Sequence, residues 1–153
     1  MLIRRAEKAD IEAICTVDAR AFGSGPYAEA RDQAGNPDWR EKRSRDIAAW
    51  YRDHYPETFV AVLDDRVVGF AGYKPIEGGT GIIDNNAVDP DFQGRGISTQ
   101  LVGRVVEELT SLGVTRIEVA TAHVPAAVRA YEKAGFRIFE TRGPRNELER
   151  TVG

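Results

Sequence analysis

Residues 97–112 place Ile97, Leu101, Val102, Val105, Val106, Leu109 and Leu112 on one stripe at helical spacing, and Gly113 ends the run. A helix with a single apolar face must lay that face on another layer. The flanking segments supply one. Residues 58–63 and 66–73 read as strands meeting at Asp64-Asp65, a hairpin in form, and residues 81–88 and 115–120 read as two more. A chain with this helix therefore folds as helices on a sheet.

The remaining elements follow from local signals. Residues 2–5 make a short first strand. Asp10 stands where a cap would, ahead of a helix over 11–21 with Ile11, Ile14, Val17 and Phe22 near one face. Residues 23–37 are polar, contain Gly and Pro, and read as a loop. A second helix covers about 38–51, with Ile47, Trp50 and Tyr51 at spacings of three and four and Pro56 beyond its end. Pro125 suits the first turn of a helix that ends at Gly135. Residues 136–141 form a strand, and the last ten residues leave room for another. The order β α α β β β α β α β predicts an α/β (α+β) class, a mixed sheet with helices on it, as one domain over residues 1–153. Such a fold hosts many activities, so function must be read from a site.

Composition excludes several classes. The net charge is −3 and no basic run stands out, which argues against nucleic acid and anionic membranes as partners. Cys15 is the only cysteine, so neither an internal disulfide nor a Cys-rich metal site is expected. His54 and His123 are isolated and read as surface or structural residues, not metal ligands. No apolar stretch approaches the roughly 18 residues of a membrane span. The N-terminus lacks the apolar centre of a signal peptide, so the cytoplasm is the expected location.

Two segments carry chemistry. Asn86-Ala87-Val88-Asp89-Pro90-Asp91-Phe92-Gln93-Gly94-Arg95-Gly96-Ile97-Ser98 is a strand, a turn, a glycine-bearing loop and a helix start. Helix starts expose unpaired N–H groups that bind phosphate. Gly94 and Gly96 would let backbone amides approach a pyrophosphate, and Arg95 would add charge; the same glycines would also serve a simple tight turn. The Gly-Lys-Ser/Thr of a P-loop and the three-glycine dinucleotide pattern are absent. The second segment, residues 116–136, is a strand, a short turn and a helix ending Tyr131-Glu132-Lys133-Ala134-Gly135-Phe136. Alone, Tyr131 reads as a core residue with a satisfied hydroxyl.

Together, at this order and spacing, the segments resemble the GNAT superfamily of N-acetyltransferases. Gln93-x-x-Gly96-x-Ser98 resembles its pyrophosphate loop. Ala87-Val88-Asp89-Pro90 resembles the end of its fourth strand, and residues 127–136 its helix ending in Tyr-x-x-x-Gly-Phe. Ala6-Glu7-Lys8-Ala9-Asp10 is similar to its usual opening. Two positions depart from the pattern. Ser98 replaces the usual Gly or Ala, where it could cap the helix. Val124 replaces an asparagine that often contacts the cofactor, and that contact is not carried over.

The resemblance implies a mixed, mostly antiparallel central sheet flanked by about four helices and splayed after the fourth strand. It implies acetyl-CoA as co-substrate, held by Ala87, Val88, Gln93, Gly94, Arg95, Gly96, Ile97, Ser98 and Thr99, with pantetheine along the strand and a backbone N–H there stabilising an oxyanion. It puts Tyr131 at the position that protonates the departing thiolate. An acceptor ammonium, with a pKa of about 10.4, must lose a proton before attack. Asp84 is the acid best placed to take it, sharing side-chain parity with Asn86 and Val88 if the strand is regular; a bulge would shift that parity. A solvated or salt-bridged carboxylate is the other reading of Asp84. Asn85, Asn86 and Tyr27 are candidate acceptor contacts. Trp39, Trp50 and Tyr51 either line the acceptor side or pack their helix on the sheet. Residues 40–45 read as a solvated helix face, and Cys15 as a core residue.

The expected reaction is acetyl transfer to a primary amine of a small molecule by direct attack. A protein or peptide acetyltransferase and a silent acyl-CoA-binding module are the alternatives. The expected partners are acetyl-CoA and the amine, without nucleic acid or membrane; a homodimer is allowed.

Overall fold

A computed structural model describes residues 1–74, 76–122, 125–142 and 145–152. His123 and Val124 lie outside the described residues. The strands are β1 (Leu2–Arg5), β2 (Thr58–Leu63), β3 (Arg66–Tyr73), β4 (Thr80–Val88), β5 (Arg116–Ala122), β6 (Arg137–Arg142) and β7 (Arg145–Thr151). The helices are α1 (Ile11–Phe22), α2 (Gly25–Gln33), α3 (Trp39–His54), α4 (Ile97–Ser111) and α5 (Pro125–Lys133). The strands form one seven-stranded sheet in the order β1-β2-β3-β4-β5-β7-β6. Every pairing is antiparallel except that of β4 with β5.

The turn between β2 and β3 has Asp64 and Asp65 at φ 50° and 60°. Two consecutive positive φ values suit a two-residue hairpin, because their twist matches that of the strands. The α4 stripe lies as its sequence requires from Ile97 to Leu109, whereas Leu112 caps the helix end and is half exposed. Leu101, Val102, Val105, Val106 and Leu109 are buried with Val68, Ile83, Val88, Ile117 and Tyr131 in one core. Gly81 allows the approach: a Cβ there would sit 2.8 Å from Leu109 Cδ2, far inside contact distance. The opposite face of the sheet carries α1 and α3, where Ile14, Val17, Ile47 and Tyr51 pack on Val60, Phe70 and Ala87.

Two readings of the sequence are corrected. Residues 23–37 are not all loop, because α2 occupies Gly25–Gln33, giving five α-helices among the described residues. Its only buried residue is Ala28, so it carries no apolar stripe to betray it, although Ser24 sits at its N-cap and Pro26 in its first turn. Asp10 does not cap α1 with its side chain. Its carboxylate instead accepts from Arg4 at 2.7 and 3.0 Å and from the Glu7 N–H at 2.7 Å, tying β1 to the helix start.

The parallel pair opens quickly. β4 pairs with β5 only at Thr80, Gly81 and Ile82, opposite Arg116, Ile117 and Glu118. Beyond that point β4 pairs only with β3, and β5 only with β7. The sheet therefore parts beside the second half of β4, as the splay after the fourth strand requires.

Candidate active site

The register of β3 on β4 sets the geometry. Gly69 faces Val88, Phe70 faces Ala87 and Ala71 faces Asn86, but Tyr73 faces Ile83, so β4 holds one extra residue at Asp84-Asn85. Alternation fails there. Ile83 and Val88 pack on the α4 face, whereas Ala87 packs on the α1–α3 face. Asn86 reaches Tyr131, on the α4 side. Asp84 and Asn85 both turn to the α3 side, where Asp84 meets Trp50 and His54, and Asn85 lines a cavity with α2 and α3. The shared parity of Asp84 with Asn86 and Val88 is thus overturned by the bulge.

Asp84 is partly buried. Burial raises its carboxyl above the ordinary range, against the opposing pull of Lys74, the Asn85 backbone N–H, His54 and the Trp50 side chain. Trp50 stacks on His54 with centroids 3.8 Å apart. Behind them, Tyr51 is fully buried with its hydroxyl near Asn85, and burial and nearby Asp84 raise its pKa. Tyr51 and Trp39 thus pack α3, as one of the two sequence readings held. Trp39 also contributes to the cavity.

On the other face, Tyr131 is 7% exposed, and Asn86 Nδ2 donates to its hydroxyl oxygen. That bond leaves the hydroxyl proton for another acceptor. Burial pushes the Tyr131 pKa up to about 12, partly offset by Asn86.

The β4 edge beside the opening presents backbone. The Asp89 N–H goes to Val68 O at 2.8 Å, so by antiparallel alternation the amides of Val88 and Asn86 face away from β3, and that of Ala87 faces it. Gln93 Nε2 donates to Val88 O at 3.0 Å and closes the exit turn. Asp89, 1% exposed, braces the same turn through the Asp91 N–H, Arg20 and Arg66. Gly94 and Gly96 lie at φ 80° and 79°, and an added Cβ would meet nothing within 4 Å at either. Gly96 is the α4 cap residue and no side chain caps the helix, so the N–H groups at Ile97, Ser98 and Thr99 open onto the loop. Ser98 lies inside the helix and does not cap it. Arg95 is exposed and lies over the Phe92 ring at 5.1 Å.

The cavity on the α3 side, about 240 Å³, is lined by Tyr27, Arg31, Trp39, Lys42, Arg43, Asp46, Ile47 and Asn85. The structure thus joins two of the candidate acceptor contacts, Tyr27 and Asn85, and sends the third, Asn86, to Tyr131. Residues 40–45 are not simply a solvated face. Arg43 turns inward and makes a two-pronged pair with buried Asp18 at 2.9 and 3.0 Å, stacking on Phe22. Arg40 bonds Asp32, which also accepts from Trp39 Nε1. Sequence reading missed Arg31, Lys42 and Arg43 as lining, because their signal is charge on exposed-looking helix turns. Cys15 packs partly buried beside the α1–α3 cluster, where burial pushes its thiol up and away from reactivity.

The sheet is mostly antiparallel and opens between its two parallel neighbours, beside a helix start with no side-chain cap. The chain belongs to the acetyltransferase (GNAT) family, whose model matches residues 25–136. A mycothiol acetyltransferase of Beutenbergia cavernae is 31% identical over 133 residues, covering 84% of this chain and 42% of the relative, so the chain spans less than half of that protein. An L-2,4-diaminobutyric acid acetyltransferase of Nocardia farcinica is 38% identical over 71 residues, covering 45% of this chain and 37% of the relative. The fold matches the PaiA N-acetyltransferase of Thermoplasma acidophilum, solved in complex with coenzyme A, at a TM-score of 0.74 and 18% identity, over 99% of this chain and 98% of that one.

Proposed function

We propose that the chain transfers an acetyl group from acetyl-CoA to a primary amine of a small molecule, by direct attack. The observation that carries this reading is the opening beside β4, with a carboxylate on one face and a buried phenol on the other.

The residues present fit acetyl-CoA. Uncapped N–H groups at Ile97, Ser98 and Thr99, with Gly94 and Gly96 offering no side-chain obstruction, suit the pyrophosphate. The gap-facing amides of Asn86 and Val88 suit the pantetheine arm and the carbonyl oxygen. When bound, acetyl-CoA brings an acyl group already activated as a thioester. Asp84, ionised, accepts a proton from the acceptor ammonium directly or through water; its raised pKa makes it a stronger base than an ordinary aspartate.

Tyr131 donates a hydrogen bond to the departing sulfur. Its pKa of about 12 stands well above the roughly 8.5 of a thiol, so complete transfer would be uphill by on the order of 5 kcal/mol. A hydrogen bond stabilises the developing thiolate without that cost. The half-open cavity of about 240 Å³ beside Asn85 is of a size to take a small acceptor. The two curated relatives are named for different compounds, mycothiol and L-2,4-diaminobutyric acid, so they do not specify this acceptor. A screen of amines with acetyl-CoA, followed by release of free thiol, tests the reading. Acetyl-CoA binding without turnover of any amine would leave the chain a binding module.

A further inference from the structure

We propose that the acceptor is an amine that also bears a carboxylate, with the carboxylate seated between Arg31 and Lys42. This rests on the acetyltransferase reading above and identifies its acceptor class.

The whole chain is net negative, yet three cationic side chains and one carboxylate line the acceptor-side cavity. The three cations are not equivalent. Arg43 is already neutralised by Asp18 through two short hydrogen bonds, and it also reaches the Tyr27 hydroxyl at 3.3 Å. Its role is to fasten α3 to α1. Arg31 and Lys42 have no ion-pair partner among the described residues, and Arg31 lies over the Trp39 ring at 5.7 Å. Two cations from different helices, α2 and α3, therefore line one cavity with no ion-pair partner among the described residues.

Asn85 belongs to the same lining, and its neighbour Asp84 faces α3 with it. Asp84 itself lies outside that lining, so a ligand whose amine meets Asp84 reaches Arg31 and Lys42 by extending past Asn85. The one lining carboxylate, Asp46, stands a helical turn from Lys42 on α3 and is outnumbered by Lys42 and Arg31. A plain diamine would put its second ammonium against two cations and be disfavoured.

The test compares α- and ω-amino carboxylates with their carboxamides and with the decarboxylated amines, using acetyl-CoA and the full chain. The carboxylates should lead in kcat/KM by about tenfold to a hundredfold, the size of a charge-assisted hydrogen bond. That lead should shrink with salt, because Arg31 and Lys42 are exposed. It should collapse toward unity in the Arg31→Ala/Lys42→Ala double variant and largely survive in Arg31→Lys, with acetyl-CoA affinity unchanged in both. Carboxamides or diamines used as well as the carboxylates, or a lead that persists in the double variant, would overturn the proposal while leaving acetyl transfer intact. If no amine is acetylated, the same panel is titrated by calorimetry onto the coenzyme A-loaded protein. Carboxylate-selective binding abolished by the double variant then upholds this site and sinks the transferase reading, whereas no selectivity overturns the site as well.

Discussion

On the α4 side of β4, the groups available for binding are backbone amides: the uncapped first turn of α4 and the gap-facing edge of the strand. On the α2–α3 side they are side chains, with Arg31, Lys42, Tyr27, Trp39 and Asn85 converging from three elements. Backbone amides recognise any group of the right charge and shape, and their placement depends on chain conformation more than on side-chain identity. Side chains can be exchanged without moving the fold. One face is thereby suited to a constant ligand and the other to a variable one, which fits a family whose members carry names for different compounds.

Substitutions can sharpen or break that contrast. The largest effect is expected at Asp84. Asp84→Asn should lower kcat about 10²- to 10⁴-fold at neutral pH. Because burial raises the Asp84 pKa, the wild-type rate should climb with pH through a value above the ordinary aspartate range as the base ionises. The variant should lack that limb and recover partly at high pH, where free amine is abundant. A wild-type pH–rate profile in the variant would return Asp84 to a structural role.

Next comes the fastening of the acceptor wall. Asp18→Ala leaves the largely buried Arg43 guanidinium without its partner, and should cost about 3–5 kcal/mol in denaturant unfolding. Arg40→Ala, which breaks the exposed Arg40–Asp32 pair but leaves Asp32 on Trp39 Nε1, should barely move the melting temperature. Equal losses at the two sites would deny the acceptor wall its buried anchor.

On the backbone side, Gly96→Val places a branched side chain at φ 79° where the protein itself has open space. It should weaken acetyl-CoA binding by roughly tenfold or more, through strain and blocked approach, with acceptor selectivity retained. Calorimetry reads the first and the acceptor panel the second. Unchanged affinity in a folded variant would move the coenzyme away from this loop.

The smallest catalytic effect is expected at Tyr131. Tyr131→Phe should lower kcat by about tenfold, below the usual general-acid range, because the hydroxyl stabilises a tolerable leaving group without surrendering its proton. Acetyl-CoA affinity measured alongside should hold. If kcat holds and affinity falls instead, Tyr131 is a coenzyme contact.

The same contrast governs what could be read from sequence. The α4 stripe, the Gln93–Gly96–Ser98 loop and the Tyr131–Phe136 ending are local patterns, and each element formed where its spacing required. The hairpin at Asp64-Asp65 was legible for the same reason, whereas the last ten residues only left room for β7. Helix α2 was not, since it buries only Ala28 and so shows no periodicity. The bulge at Asp84-Asn85 was not, because nothing in Asp-Asn-Asn distinguishes a regular strand from a shifted one. The cavity was least legible. Its lining spans residues 27–85, and only the docking of α1, α2, α3 and β4 separates inward Arg43 from its solvated neighbours.

The bulge in β4 also makes the strand a partition. With one extra residue at Asp84-Asn85, Asp84 looks toward α3 while Asn86 holds Tyr131 on the reverse side, so the two reactive groups occupy separate compartments with the sheet between them. In the proposed reaction, a proton taken up at Asp84 is therefore on the face of the strand away from Tyr131. Deleting one residue at the bulge would restore strict alternation and rotate one of the two ends of the strand out of its compartment. Under the proposed roles of Asp84 and Tyr131, the length of this strand matters as much as the identity of its side chains.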